Sequence, residues 1–126
     1  MKARPSILLA AALLSSCSPP IIDVAVHGSG VGSTVTLSQD WGFLFFSRRE
    51  APCVWQVSLF TQGEPRDRPV WRIESVGERN CLDLGLFAIG TPPAGFRETV
   101  RLSNPAHGTY TIIVHGVGQG DGTITL

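Results

Sequence analysis

The sequence predicts an all-β protein, a small antiparallel β-sandwich of about eight strands, with a small β-barrel as the alternative. Glycine and proline punctuate it densely: residues 17–126 hold 14 Gly and 8 Pro, one residue in five, which excludes long helices. The longest segment free of both, 53–62, alternates. Cys53, Trp55, Val57 and Leu59 fall on one face, with Gln56 and Ser58 on the other beside Val54 and Phe60, the period of a strand. Similar short runs recur along the chain between turn residues, the pattern of antiparallel sandwiches and barrels.

The first element in chain order stands outside the fold. Lys2 and Arg4 precede an eight-residue apolar run, 7–14, and then Ser15 and Ser16, an order that reads as a secretory signal. A bilayer-spanning helix needs about 20 apolar residues, so a permanent transmembrane anchor is disfavoured. Leu14-Ser15-Ser16-Cys17 resembles the lipobox of bacterial lipoproteins. That resemblance implies cleavage after Ser16, a diacylglycerol thioether on Cys17 and a further acyl chain on its new amino group. Two or more acyl chains anchor stably where one binds marginally. Within that family an Asp after the cysteine retains the product at the inner membrane; Ser18 here favours the outer membrane. The expected division is a signal peptide over 1–16, a lipidated tether over 17–20 and a β-sandwich domain over 21–126.

Strands are expected at 21–26, 34–37, 43–46, 53–62, 70–76, 81–89, 96–102, 109–115 and 123–126. In 70–76, Trp71 and Ile73 face one way and Arg72 and Glu74 the other. With Cys17 committed to lipid, Cys53 and Cys81 remain, in a compartment where disulfides persist. Closing that loop stabilises the fold by about 3 to 4 kcal/mol in the chain-entropy model. The competing reading, two thiols as metal ligands, finds no Cys-x-x-Cys spacing and no His near either one. Because Trp55 follows Cys53 by two residues, a disulfide packed near an indole is expected. The segment 102–114, with Tyr110 after a Ser-Asn-Pro-Ala-His-Gly-Thr turn, resembles the late strands of immunoglobulin-like and fibronectin-type modules. There a tyrosine hydroxyl bonds back to the upstream backbone; the resemblance raises the sandwich over the barrel.

Charge excludes some partners. The whole chain is neutral, with 10 Lys+Arg and 10 Asp+Glu. Residues 17–126 keep 8 Arg, no Lys and all 10 acids, a net −2. No basic footprint for nucleic acid or anionic lipid headgroups survives. Arg48-Arg49 and Arg66/Arg68 have Glu50, Glu64 and Asp67 beside them, a locally neutralised surface.

Val26-His27-Gly28-Ser29-Gly30-Val31-Gly32-Ser33-Thr34-Val35-Thr36-Leu37 is echoed, one residue longer, by Val114-His115-Gly116-Val117-Gly118-Gln119-Gly120-Asp121-Gly122-Thr123-Ile124-Thr125-Leu126. Each copy reads as strand, glycine-rich turn, strand, the glycines supplying positive φ, with Asp121-Gly122 a turn dipeptide. Phosphate-cradle spacing is absent, and the glycine/aspartate pattern of a calcium repeat occurs once. Three readings of the echo stand: paired structural hairpins, a two-histidine metal site from His27 and His115, or a ligand-facing rim.

No Gly-x-Ser-x-Gly elbow or His-Glu-x-x-His is present, His107 lies in a turn, and Asp83 on an alternating strand faces water. The expected protein is therefore a non-enzymatic lipoprotein of a bacterial cell envelope, without cofactor, that binds the membrane through Cys17 and an envelope protein through its loops. The expected binding residues are His27, Gly28, Ser29, Gly30, His115, Gly116 and Gly118, with Trp41, Phe43 and Phe45 second, since loops carry recognition on such scaffolds. One alternative is an inhibitor of a secreted hydrolase such as lysozyme, from the faint likeness of Gly28-Ser29-Gly30-Val31 to the serine/glycine loop of such inhibitors. The other is a metal-dependent hydrolase using His27, His115 and Asp121.

Overall fold

A computed structural model describes residues 20–43, 46–77 and 81–126. Ten strands form and no helix does among the described residues: β1 (Ile22–His27), β2 (Thr34–Phe43), β3 (Phe46–Glu50), β4 (Cys53–Thr61), β5 (Trp71–Ser75), β6 (Leu82–Asp83), β7 (Leu86–Ala88), β8 (Phe96–Val100), β9 (Thr109–Gly116) and β10 (Gln119–Thr125). All pair antiparallel into two sheets, not closed into a barrel. The four-stranded sheet runs β1-β2-β3, with β7 also on β2. Since β1 covers residues 34–39 of β2, β7 holds its opposite edge, in line with β3. The six-stranded sheet runs β10-β9-β4-β5-β8, with β6 on β4.

Alternate residues of both sheets meet between them, as pleating requires. Val35 and Leu37 of β2 and Ile22 of β1 oppose Val57 and Leu59 of β4, Trp71 and Ile73 of β5, Ile112 and Val114 of β9 and Ile124 of β10. Trp71 is the largest fully buried side chain. Its ring stacks on Phe87 at a centroid distance of 6.2 Å, and its indole N–H donates to Glu98 Oε2 at 2.8 Å. Burying this ring therefore leaves its one polar atom satisfied.

Three expectations are corrected by sheet geometry. The expected runs 34–37 and 43–46 give way to longer strands: β2 continues from Leu37 through Gln39 to Phe43, and β3 opens at Phe46, opposite Phe43. The run 81–89 is two strands, because the chain changes sheets within it. Asp83 pairs with Cys53 in one sheet and Leu86 with Thr36 in the other, with Gly85 at the corner, its carbonyl accepting from the Leu37 N–H at 2.9 Å. Only the split of 81–89 changes the count, raising the nine expected runs to ten strands. Finally, the alternation assigned to β4 breaks at a bulge between Val54 and Gln56. A bulge adds one residue and turns what precedes it. Val54 is thus buried while Trp55 stands 45% exposed, so the core indole is Trp71 rather than Trp55.

Cys53 and Cys81 form the expected disulfide, their Cα atoms 5.0 Å apart. It staples β4 to the segment entering β6, within one sheet rather than across the two. Tyr110, buried near the start of β9, donates its hydroxyl to the Ala106 carbonyl at 2.6 Å, the back-bond implied for it.

Candidate functional site

The two echoed segments are both hairpins, but their glycines do different things. In the first, residues 28–33 make a loop between β1 and β2 in which Gly28, Gly30 and Gly32 have φ of 96°, 87° and 93°. The loop is fastened on both sides: Gly30 N–H to Thr125 O at 2.9 Å, Gly32 N–H to Ile89 O at 3.1 Å, and Ser33 Oγ to Gly30 O at 2.7 Å. Ser29 and Val31 are exposed at its tip.

In the second, the turn is only Val117-Gly118, and Gly120 and Gly122 lie inside β10. Glycine in a strand interior marks close approach of another backbone, and here that backbone is β1. A Cβ at Gly118 would strike Pro20 O and lie 2.7 Å from Gln39 Nε2; one at Gly120 would strike Ile22 O; one at Gly122 would lie 2.8 Å from Val24 Cγ1. One parallel bridge, Ile21 to Gln119, joins the strands at their start. Asp121-Gly122 is accordingly no turn, and Asp121 pairs with Ile113.

This parallel alignment settles the relation of the two histidines. His27 ends β1 level with Thr125, whereas His115 pairs with Gln119 at the far end of β10. Six strand residues separate the two levels, about 20 Å at roughly 3.3 Å each. His27 Nε2 is 3.2 Å from Thr36 Oγ1, and His115 is opposite Gln56. His27, His115 and Asp121 are therefore not one site, and no group of three His, Cys, Asp or Glu side chains that could hold a metal occurs among the described residues. Of the expected binding residues, His27, Gly28, Ser29 and Gly30 cluster at one pole of the sandwich. Gly116 and Gly118 lie at the other with His115, Gly118 buried beneath Gln39. The Trp41 and Phe43 side chains, and Phe45, lie outside the described residues.

Sequence reasoning missed a surface on the outer face of the six-stranded sheet. There the β4–β5 loop, residues 62–70, folds back over β9 and β10. Arg66 lines two adjoining open clefts of about 380 and 330 Å³. The first also has Pro20, Ile21, Ile113 and Gln119; the second has Phe60, Glu64, Thr111 and Thr123; Asp121 lines both. Phe60 and Ile113 are buried on this outer face, apart from the main core. Beside them Ser58 is buried and its Oγ accepts from Arg72 Nε at 3.0 Å and Gln56 Nε2 at 3.1 Å. The arrangement is a shallow apolar floor rimmed by one cation, Arg66, and two carboxylates, Asp121 and Glu64, groups able to bind a polar ligand or side chain. In the sequence Arg66 stood among neighbouring acids and Asp121 in a turn dipeptide, so neither pointed to the other.

The exposed arginines of the other sheet are neutralised as expected. Arg48 pairs with Glu50 at 2.7 Å, and Arg49 bridges Asp23 and Asp40 while donating to Ser38 Oγ at 2.9 Å. Comparison with protein families, with curated proteins and with solved structures finds no match for the chain.

Proposed function

We propose that this is a lipid-anchored protein of a bacterial cell envelope, held in the outer membrane through Cys17 and serving a non-catalytic binding or assembly role. The observation that carries the reading is Leu14-Ser15-Ser16-Cys17 directly after a charged start and a short apolar run. The pairing of Cys53 with Cys81 supports it, since it suits an oxidising compartment and leaves Cys17 for lipid. The β10-β9-β4-β5 order and the Tyr110 back-bond support an immunoglobulin-like sandwich, a scaffold that presents loops to partners. Partner contact is assigned to the 28–33 loop and to the Arg66/Asp121 cleft floored by Phe60. Incorporation of labelled palmitate tests the anchor: the wild type takes up label and Cys17→Ala does not, and equal labelling of the two contradicts the reading.

A second reading, an inhibitor of a secreted hydrolase such as lysozyme, draws on one observation. The 28–33 loop is fastened to both sheets yet exposes Ser29 and Val31, and a pre-ordered projecting loop loses little entropy on insertion into a cleft. Slowing of lysozyme by micromolar protein, abolished by Val31→Asp, is the expected result. Unimpeded lysozyme removes this reading and leaves the first intact.

A further inference from the structure

We infer that the pole of the sandwich at which Pro20 enters β1 is a bilayer-contact surface, seated on the lipid interface through Ile21, Trp55, Val76 and Val117. The inference rests on the lipoprotein reading of Cys17.

Six large apolar side chains are exposed among the described residues: Ile21 (74%), Val31 (59%), Trp55 (45%), Val76 (56%), Leu86 (61%) and Val117 (47%). Single exposed apolar residues are ordinary, but a gathered set marks an interaction surface. Four of these six collect at one end. Ile21 bridges Gln119 where β10 begins. Val117 caps the β9–β10 turn, its N–H donating to Cys53 O at 3.0 Å, at the start of β4. Trp55 follows on β4, turned outward by the bulge. Val76 leaves β5 at the same end, its N–H bonded to Gly95 O at 2.8 Å. The row follows the sheet from β10 through β9 and β4 to β5, roughly 15 Å at about 4.8 Å per strand. The other two stand apart from this row, Val31 on the 28–33 loop and Leu86 on β7 opposite Thr36.

Covalent geometry says what faces this row. From Cys17 to Pro20 is three residues, a reach of at most about 11 Å. Acyl chains on Cys17 thus hold this pole, and not the opposite one, against the bilayer. An indole suits the lipid–water interface, being apolar in body with one polar N–H. The neighbouring charges at this end of the four-stranded sheet, Arg48 with Glu50 and Arg49 with Asp23 and Asp40, compensate one another. On the six-stranded sheet Arg66 and Asp121, one charge of each sign, line the cleft beside Ile21, so the apolar side chains carry the contact. One consequence concerns orientation: β1, six residues long, separates this pole from the 28–33 loop, so the loop stands upwards of about 20 Å from the membrane, presented to a partner rather than to lipid.

The test uses lipidated protein in vesicles of phosphatidylethanolamine and phosphatidylglycerol, with plain or brominated acyl chains. In a Trp41→Phe background the emitters are Trp55 and the buried Trp71. Brominated vesicles are expected to cause a loss of tryptophan emission that disappears on adding Trp55→Phe. The loss shrinks in Val76→Asp and Val117→Asp and persists in Val31→Asp. Should an aspartate variant fail to fold, the Trp55→Phe comparison decides alone. Protein whose mass shows lipid on Cys17, yet whose emission ignores bromine, overturns the docking surface while the anchor stands. Protein without that lipid overturns both.

Discussion

The two glycine-rich hairpins begin alike, Val26-His27-Gly28 and Val114-His115-Gly116, yet the same residue type solves two different problems in them. Around Gly30 and Gly32 nothing lies within 4 Å of an added Cβ, and what the position needs is a positive φ. At Gly120 the backbone is extended and the need is for space, because the Ile22 carbonyl occupies the place of a Cβ. The first hairpin uses glycine to turn, the second to let β1 lie against β10. That contact is where the two sheets meet at one edge of the sandwich. A turn penalty is local and bounded, whereas a backbone collision must move a strand.

The largest effect is accordingly expected from Gly120→Ala, at about 3 kcal/mol or more. Chemical denaturation should show a large fall in midpoint; a loss under about 1 kcal/mol would mean that β1 can stand off from β10, and the contrast would collapse. Gly122→Ala comes next, near 2 kcal/mol, since it meets Val24 Cγ1 rather than backbone and a side chain can yield. Combining it with Val24→Ala should recover part of its collision cost, read as a non-additive double-mutant cycle.

Tyr110→Phe, in the second hairpin, removes the donor to Ala106 O and should cost about 1 kcal/mol with the ring still buried. Gly30→Ala should cost roughly 1 kcal/mol through its positive φ alone. Gly30→Asn should cost less, because asparagine tolerates that region. Equal losses for alanine and asparagine at 30 would point to space rather than φ, and the two hairpins would then be one case.

Much of the fold was legible because alternation reports which face is buried without reference to partners. Trp71 and Ile73 against Arg72 and Glu74 placed β5 correctly, and the two cysteines had a single way to pair. What failed had a common origin. Gly85 redirects the chain between sheets, the bulge at Trp55 reverses a face, and β10 runs straight through glycines that by composition argue for a turn. Each depends on what lies across space from the residue, which periodicity does not contain. The Arg66/Asp121 clefts were illegible for the same reason, since the two residues are 55 positions apart and share their clefts only because the 62–70 loop folds over β9 and β10.

By itself, then, the sequence determined the all-β class, most strand positions, the Cys53–Cys81 staple and the expectation of a lipid on Cys17. The first three follow from local spacing, turn chemistry and elimination among few residues, and the last is what the resemblance of Leu14-Ser15-Ser16-Cys17 to a lipobox implies. Tertiary structure alone decided that His27 and His115 stand about 20 Å apart, that the glycines of β10 make room rather than turns, and that four apolar side chains share one pole. Those facts come from sheet order and from the parallel approach of β1 to β10, and a one-dimensional pattern of side chains does not specify which strands become neighbours.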